Sequence, residues 1–115
     1  MFTKCRYSGY NIKYEIVRAG KNKNKVFVDL NITNQKSWPF DFAALTLITV
    51  LNEQDSVGQI DPYKGKNTVK YGIEKDEKVG VELVYDFKAP PKEISILCKS
   101  TMRINADTVF FKQKF

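Results

Sequence analysis

The sequence predicts an all-β chain folded as an antiparallel β-sandwich of about seven or eight strands. Three observations carry this prediction. Apolar residues recur at every second position over most of the chain, which is the period of a half-buried strand and not of a helix. The runs are short, roughly ten residues apart, and separated by Gly, Pro, Asn and Asp, the residues that turn a chain. The 115 residues, 43% hydrophobic and 28% charged, make one globular core rather than a disordered chain, so residues 1–115 are expected to form a single domain. No internal repeat or interdomain linker is visible.

The first strand is expected at residues 10–19, where Tyr10, Ile12, Tyr14 and Ile16 alternate with Asn11, Lys13 and Glu15. Gly20 to Asn24 reads as a polar turn. The clearest strand follows, with Val26, Val28, Leu30 and Ile32 on one face and Asp29, Asn31 and Thr33 on the other. Asn34 to Pro39 breaks it. Phe40 to Leu51 reads as a strand with a bulge or bend at Ile48, where the alternation changes parity; a short helical turn at Phe42–Leu45 is the lesser reading. A turn at Asn52–Ser56 leads to a short strand at Val57–Ile60, and a polar stretch then holds one further strand, Thr68–Ile73. Val79, Val81, Leu83, Tyr85 and Phe87 line one face of the next strand. After Ala89-Pro90-Pro91-Lys92 come two last strands, Ile94–Lys99 and Thr108–Lys112.

The formal net charge is +6, and it is unevenly spread. Residues 1–36 hold eight basic and two acidic side chains, residues 37–88 six and nine, and residues 89–115 five and two. Most of the excess is lysine; only Arg6, Arg18 and Arg103 offer the planar fork suited to phosphate. If the first and last strands run side by side, Lys13, Arg18, Lys112 and Lys114 give that edge a basic surface, extended by Lys21, Lys23 and Lys25, with residues 52–86 near neutral or acidic. Lysines on a sheet edge repel an incoming copy and keep the chain monomeric; binding of a polyanion is the second reading of the same charge. No apolar run of about 18 residues occurs, so no membrane-spanning segment is expected.

There is no His, which removes the commonest general base and the commonest metal ligand together. Cys5 and Cys98 form no metal-binding pair. Either they join in one disulfide, or Cys98, alternating with Ile94 and Ile96, is a buried apolar residue. Met1-Phe2-Thr3-Lys4-Cys5 is neither a secretory signal nor a lipobox, which leaves a cytosolic chain or one whose leader has been removed.

The order of these pieces resembles the bacterial immunoglobulin-like domains of unknown function found on surface lipoproteins of Gram-positive bacteria, a family itself similar to the secreted immunogenic antigen of mycobacteria. The residues that carry the resemblance are the strand ending in Asn, Val26 to Asn34; the aromatic-led Phe40 to Leu51; the acidic turn Asn52-Glu53-Gln54-Asp55; the strand and proline of Glu77 to Pro90; and Ile94 to Leu97. It covers about Tyr10 to Lys99 and is a pattern of strands, not of catalytic residues. It implies an immunoglobulin-like sandwich and a cell-surface or secreted location. The antibody-type tyrosine corner is missing, since Ile96 stands two residues before Cys98.

Candidate sites are few. No catalytic residue, cofactor site or metal site is expected: Glu74, Asp76 and Glu77 read as turn caps, and Asn52, Asp55 and Asp61 lack the spacing of a calcium loop. No phosphate-cradling glycine motif is present. Large apolar residues in turns are the best partner-binding candidates, because a turn offers little core to hide them. These are Trp38 and Phe40 around Pro39, and Tyr63 after Pro62, joined by Lys64 and Lys66 and by Lys112 and Lys114 as aromatic-basic clusters. Trp38 has a competing role as a lid folded over one end of the sandwich. The expected function is a non-enzymatic binding or structural module whose partner is another protein or a cell-wall component. The alternative is a proteinase inhibitor of β-sandwich type, acting through a loop such as Ser37–Phe40 or Tyr63–Asn67.

Overall fold

The computed structural model describes the backbone of residues 3–6 and all of residues 12–101 and 108–115. Tyr10 and Arg103, and the side chains of Cys5 and Arg6, lie outside the described residues. In chain order the elements are β1 (Thr3–Arg6), β2 (Ile12–Asn22), β3 (Lys25–Asn34), β4 (Phe40–Ala43), α1 (Ala44–Leu47), β5 (Ile48–Asn52), β6 (Gln59–Ile60), β7 (Val69–Ile73), β8 (Lys78–Asp86), β9 (Glu93–Lys99) and β10 (Thr108–Lys114). Every pairing is antiparallel. One four-stranded sheet has the order β1-β10-β9-β5 and the other β2-β3-β8-β6, with β4 and β7 forming a two-stranded sheet of their own.

The alternation read from the sequence places the core. Val26, Val28, Leu30 and Ile32 of β3, Val79, Val81, Leu83 and Tyr85 of β8 with Phe87 beyond it, Ile94, Ile96 and Cys98 of β9, and Val109 and Phe111 of β10 all belong to one buried cluster. Inward faces of the two sheets therefore share a single core, as a sandwich requires. The Tyr14 hydroxyl on β2 crosses it and donates to the Lys99 carbonyl at 2.6 Å. Cys98 is a buried free thiol, so the disulfide alternative gives way to the apolar one. Burial pushes that thiol well above its usual range, and a protonated thiol is a poor nucleophile.

Four features depart from the sequence reading. The stretch from Phe40 to Leu51 is two strands separated by α1: Ala44 and Leu47, three apart, are both buried, while Leu45 and Thr46 face out. The parity change at Ile48 is thus a helical turn inserted between strands, not a bulge. The β2–β3 hairpin is tighter than Gly20 to Asn24, because pairing continues to Asn22↔Lys25 and Lys23 takes the positive φ of 56° that closes the turn. A bulge falls instead between Ile16 and Arg18 and throws Val17 outward. The described residues form ten strands rather than seven or eight, because Phe40 to Leu51 divides into β4 and β5 and because β1, four residues long, shows no alternation to read.

β1 also corrects the expected edge. It is β1, not β2, that pairs with β10, Thr3 opposite Lys112. β2 lies in the other sheet and meets β10 through the Gln113 side-chain amide, which donates to the Ala19 carbonyl at 2.7 Å. Arg18 is paired with Asp29 at 2.8 Å, Lys13 and Lys78 both approach Glu15, and Lys25 pairs with Asp86 at 2.7 Å. Lys21 is turned onto the Pro91 carbonyl and the Phe115 ring. The expected basic edge is therefore interrupted by acids, although Lys112 and Lys114 do face solvent.

One buried polar residue organises the loops. Asn34, at the end of β3, is fully buried. Its side-chain NH2 donates to the carbonyls of Trp38 and Ile73 at 2.9 and 2.8 Å, and its side-chain oxygen accepts from the Lys36 N–H at 3.0 Å. Its backbone bonds to Glu77 and Asp76. Asn34→Ala removes three bonds and strands buried partners, and is expected to cost about 3 kcal/mol. Asn34→Asp should cost more, since it replaces a double donor with a buried charge. Urea unfolding of the two variants checks both the size and the order.

Candidate functional site

The segment after β5 changes sheets. Val57 still pairs with Leu51 of β5, and the Gly58 N–H still donates to Val50 at 2.8 Å, but Gln59 and Ile60 already pair with Asp86 and Tyr85 of β8. Gly58 makes this crossing possible by lying against the Phe87 ring, where a Cβ would come within 2.5 Å of a ring carbon. The chain then follows the edge of β8. Asp61 N–H donates to Val84, Lys66 exchanges backbone bonds with Glu82, and the Asn67 side chain donates to Gly80. Gly65 has φ +93°, and a Cβ there would sit 2.2 Å from the Glu82 carbonyl, so only glycine fits. Last, the Ala44 N–H donates to Thr68 at 2.8 Å, fastening the start of β7 to α1.

These three anchored pieces enclose a groove of about 590 Å³. Leu45, Ile48 and Thr49 of α1 and β5 form one wall. The crossing segment supplies Val57 through Ile60 and then Pro62, and Thr68 and Val69 at the start of β7 also line it. The lining is apolar apart from Thr49, Gln59, Thr68 and Tyr85, and none of it is charged. Leu45 is 77%, Val57 68% and Val69 51% exposed, so three aliphatic side chains on separate elements are left in water around one concavity. Neither isolated surface apolar residues nor a flat sheet face produces that clustering.

Tyr85 completes the lining. It is only 2% exposed, yet its hydroxyl finds no hydrogen-bond partner among the described residues. A buried unpaired hydroxyl costs roughly 1–3 kcal/mol. Burial, with a smaller contribution from nearby Cys98, raises its pKa far beyond the usual tyrosine range, so it remains a neutral donor. Tyr14 is raised for the same reasons but has its carbonyl partner.

The residues singled out from sequence do not gather at one place. Phe40 is buried in the core, so its reading as an exposed turn residue is corrected: β4 begins there and turns it inward. Trp38 is 60% exposed and is no lid; its carbonyl is held by Asn34 while the Lys36 ammonium sits 5.5 Å from its ring and 5.0 Å from that of Phe40. Tyr63 is 96% exposed on the loop after Pro62, with Lys64 and Lys66 exposed beside it. Lys112 and Lys114 stand on the outer face of the other sheet. Asn52 accepts from Gln54 and Ser56, Asp61 from Tyr63, and Glu77 from Glu74, so these polar groups cap turns. Among the described residues no three His, Cys, Asp or Glu cluster as metal ligands, and no helix is long and apolar enough to cross a membrane.

Leu45, Val57, Val69 and Tyr85 escaped the sequence reading. Each looked like an ordinary strand residue, and only the fold brings them together. One signal was present: Val57 and Val69 stand in short apolar runs bounded by polar residues, too short to bury what they carry.

No family model, curated protein or solved structure matches this chain.

The contrast between the two tyrosines is open to measurement. Tyr14→Phe should lower stability by about 1 kcal/mol through loss of the bond to Lys99. Tyr85→Phe, which removes an unpaired hydroxyl, should leave stability unchanged or raise it by about 1 kcal/mol. Thermal melts of both variants against the parent protein decide the matter.

Proposed function

We propose that this chain is a non-enzymatic, immunoglobulin-like binding module, carried at the cell surface or secreted, which takes its ligand at the groove between α1, the crossing segment and β7. The exposure of Leu45, Val57 and Val69 around one concavity carries the reading. Folding leaves such side chains in water only at a cost, and burying them against a partner recovers it. The resemblance of the strand pattern to domains on Gram-positive surface lipoproteins supports the immunoglobulin-like class and the location. Co-sedimentation with purified Gram-positive cell envelopes tests the reading. The parent protein should be retained, and the double variant Leu45→Asp, Val69→Asp should be released with its circular dichroism unchanged. Equal retention of both, or of neither, counts against it.

The proteinase-inhibitor reading draws on a different observation. The loop from Asp61 to Asn67 is tied to β8 at Val84, Glu82 and Gly80 yet projects Tyr63 almost wholly into solvent. A rigid loop with one protruding aromatic loses little entropy when a protease cleft closes on it. In that case a chymotrypsin-like protease should be inhibited at a one-to-one ratio, and Tyr63→Gly should abolish inhibition. Cleavage after Tyr63 without inhibition sinks this reading.

A further inference from the structure

Resting on the groove as the binding site, we propose that its ligand is an uncharged small molecule with an apolar body and one hydrogen-bond acceptor, such as the carbonyl of an ester or amide, which is met by the Tyr85 hydroxyl. The volume of about 590 Å³ falls in the range of small-molecule sites. Its aliphatic walls, Leu45, Ile48, Val57 and Val69, suit a chain or ring without polar substituents. The acceptor follows from Tyr85, which lines the groove and carries a buried hydroxyl with no partner.

Charge is excluded by the walls. No cation lines the groove, so a carboxylate or phosphate entering it loses its hydration and gains no counter-charge. The basic groups elsewhere do not help, since Lys25 is committed to Asp86 and Lys66 presents its side chain to solvent. The shallow depression beside Arg18 and Glu82 holds both signs of charge, with Arg18 already bonded to Asp29, and none of its lining side chains is buried without a partner. Among the described residues two buried side-chain atoms lack a hydrogen-bond partner: Glu15 Oε1, which faces the Lys78 ammonium at 3.8 Å, and the hydroxyl of Tyr85, a residue of the groove lining. A side chain that weakens the empty protein and strengthens the occupied one is what a binding site leaves behind.

Nuclear magnetic resonance titration of the whole chain with methyl octanoate, octanoate and toluene tests this. The ester should shift amide signals of residues 45–49, 57–60 and 68–69. Octanoate, with the same chain and a charged end, should bind on the order of tenfold more weakly. Tyr85→Phe should weaken the ester about fivefold, the worth of one hydrogen bond, and leave toluene, which has no acceptor, unchanged. Leu45→Asp, at an exposed position, should weaken ester and toluene alike and keeps the test independent of the Tyr85 variant. Equal binding of ester and octanoate, or an unaltered ester affinity in Tyr85→Phe, overturns the ligand class while leaving the groove as a site. Absence of any shift at these residues with either ester or toluene overturns the groove itself.

Discussion

The amide of Asn34 is the one interaction that most of the loop architecture depends on. Two β-sheets can face each other through apolar contacts alone, but apolar contacts do not say where the connecting segments should lie. Asn34 does so by directing hydrogen bonds to the Trp38 turn, to the end of β7 and, through its backbone, to the turn before β8. All its polar groups are satisfied, so burying it is tolerable, and any rearrangement of those segments would orphan at least one. Because β7 is placed at one end by Asn34 and at the other by the bond between Ala44 and Thr68, the wall of the groove is fixed indirectly by a side chain outside it.

The sandwich was legible from residues because its information is local. Period-two alternation in β3, β8, β9 and β10 assigns each side chain to a face without knowing the partner strand, and those assignments agree with the buried cluster. What was not legible needed three dimensions. α1 is a single turn whose two buried residues imitate the parity slip of a bulge. Phe40 looked exposed because it followed Trp38-Pro39, yet β4 starts at that residue and faces it inward. The pairing of β1 with β10 has no sequence pattern at all, and so the edge once assigned to β2 belongs to another strand.

The groove shows the same limit more sharply. Its lining comes from three segments between Leu45 and Val69 and from Tyr85 of β8, held together mainly by backbone bonds whose donors and acceptors almost every residue possesses. The two glycines that allow the crossing and the loop, Gly58 and Gly65, could be seen in the sequence, but the ring and the carbonyl that forbid a Cβ there could not. Tyr85 sat in an apolar series and read as one more core residue. Its singularity is the missing partner, and a missing partner is a property of the surroundings. The apolar side chains left in water and the hydroxyl left out of it are two sides of one misfit, and a single occupant resolves both.

The pairing of β1 with β10 has a mechanical consequence. Thr3 lies opposite Lys112, so the start of β1 sits beside the end of β10. Tension applied between them loads the terminal hydrogen bonds one after another, like a zipper drawn from its open end, and never all at once in shear. A domain tethered this way resists stretching poorly as a link in a tandem array.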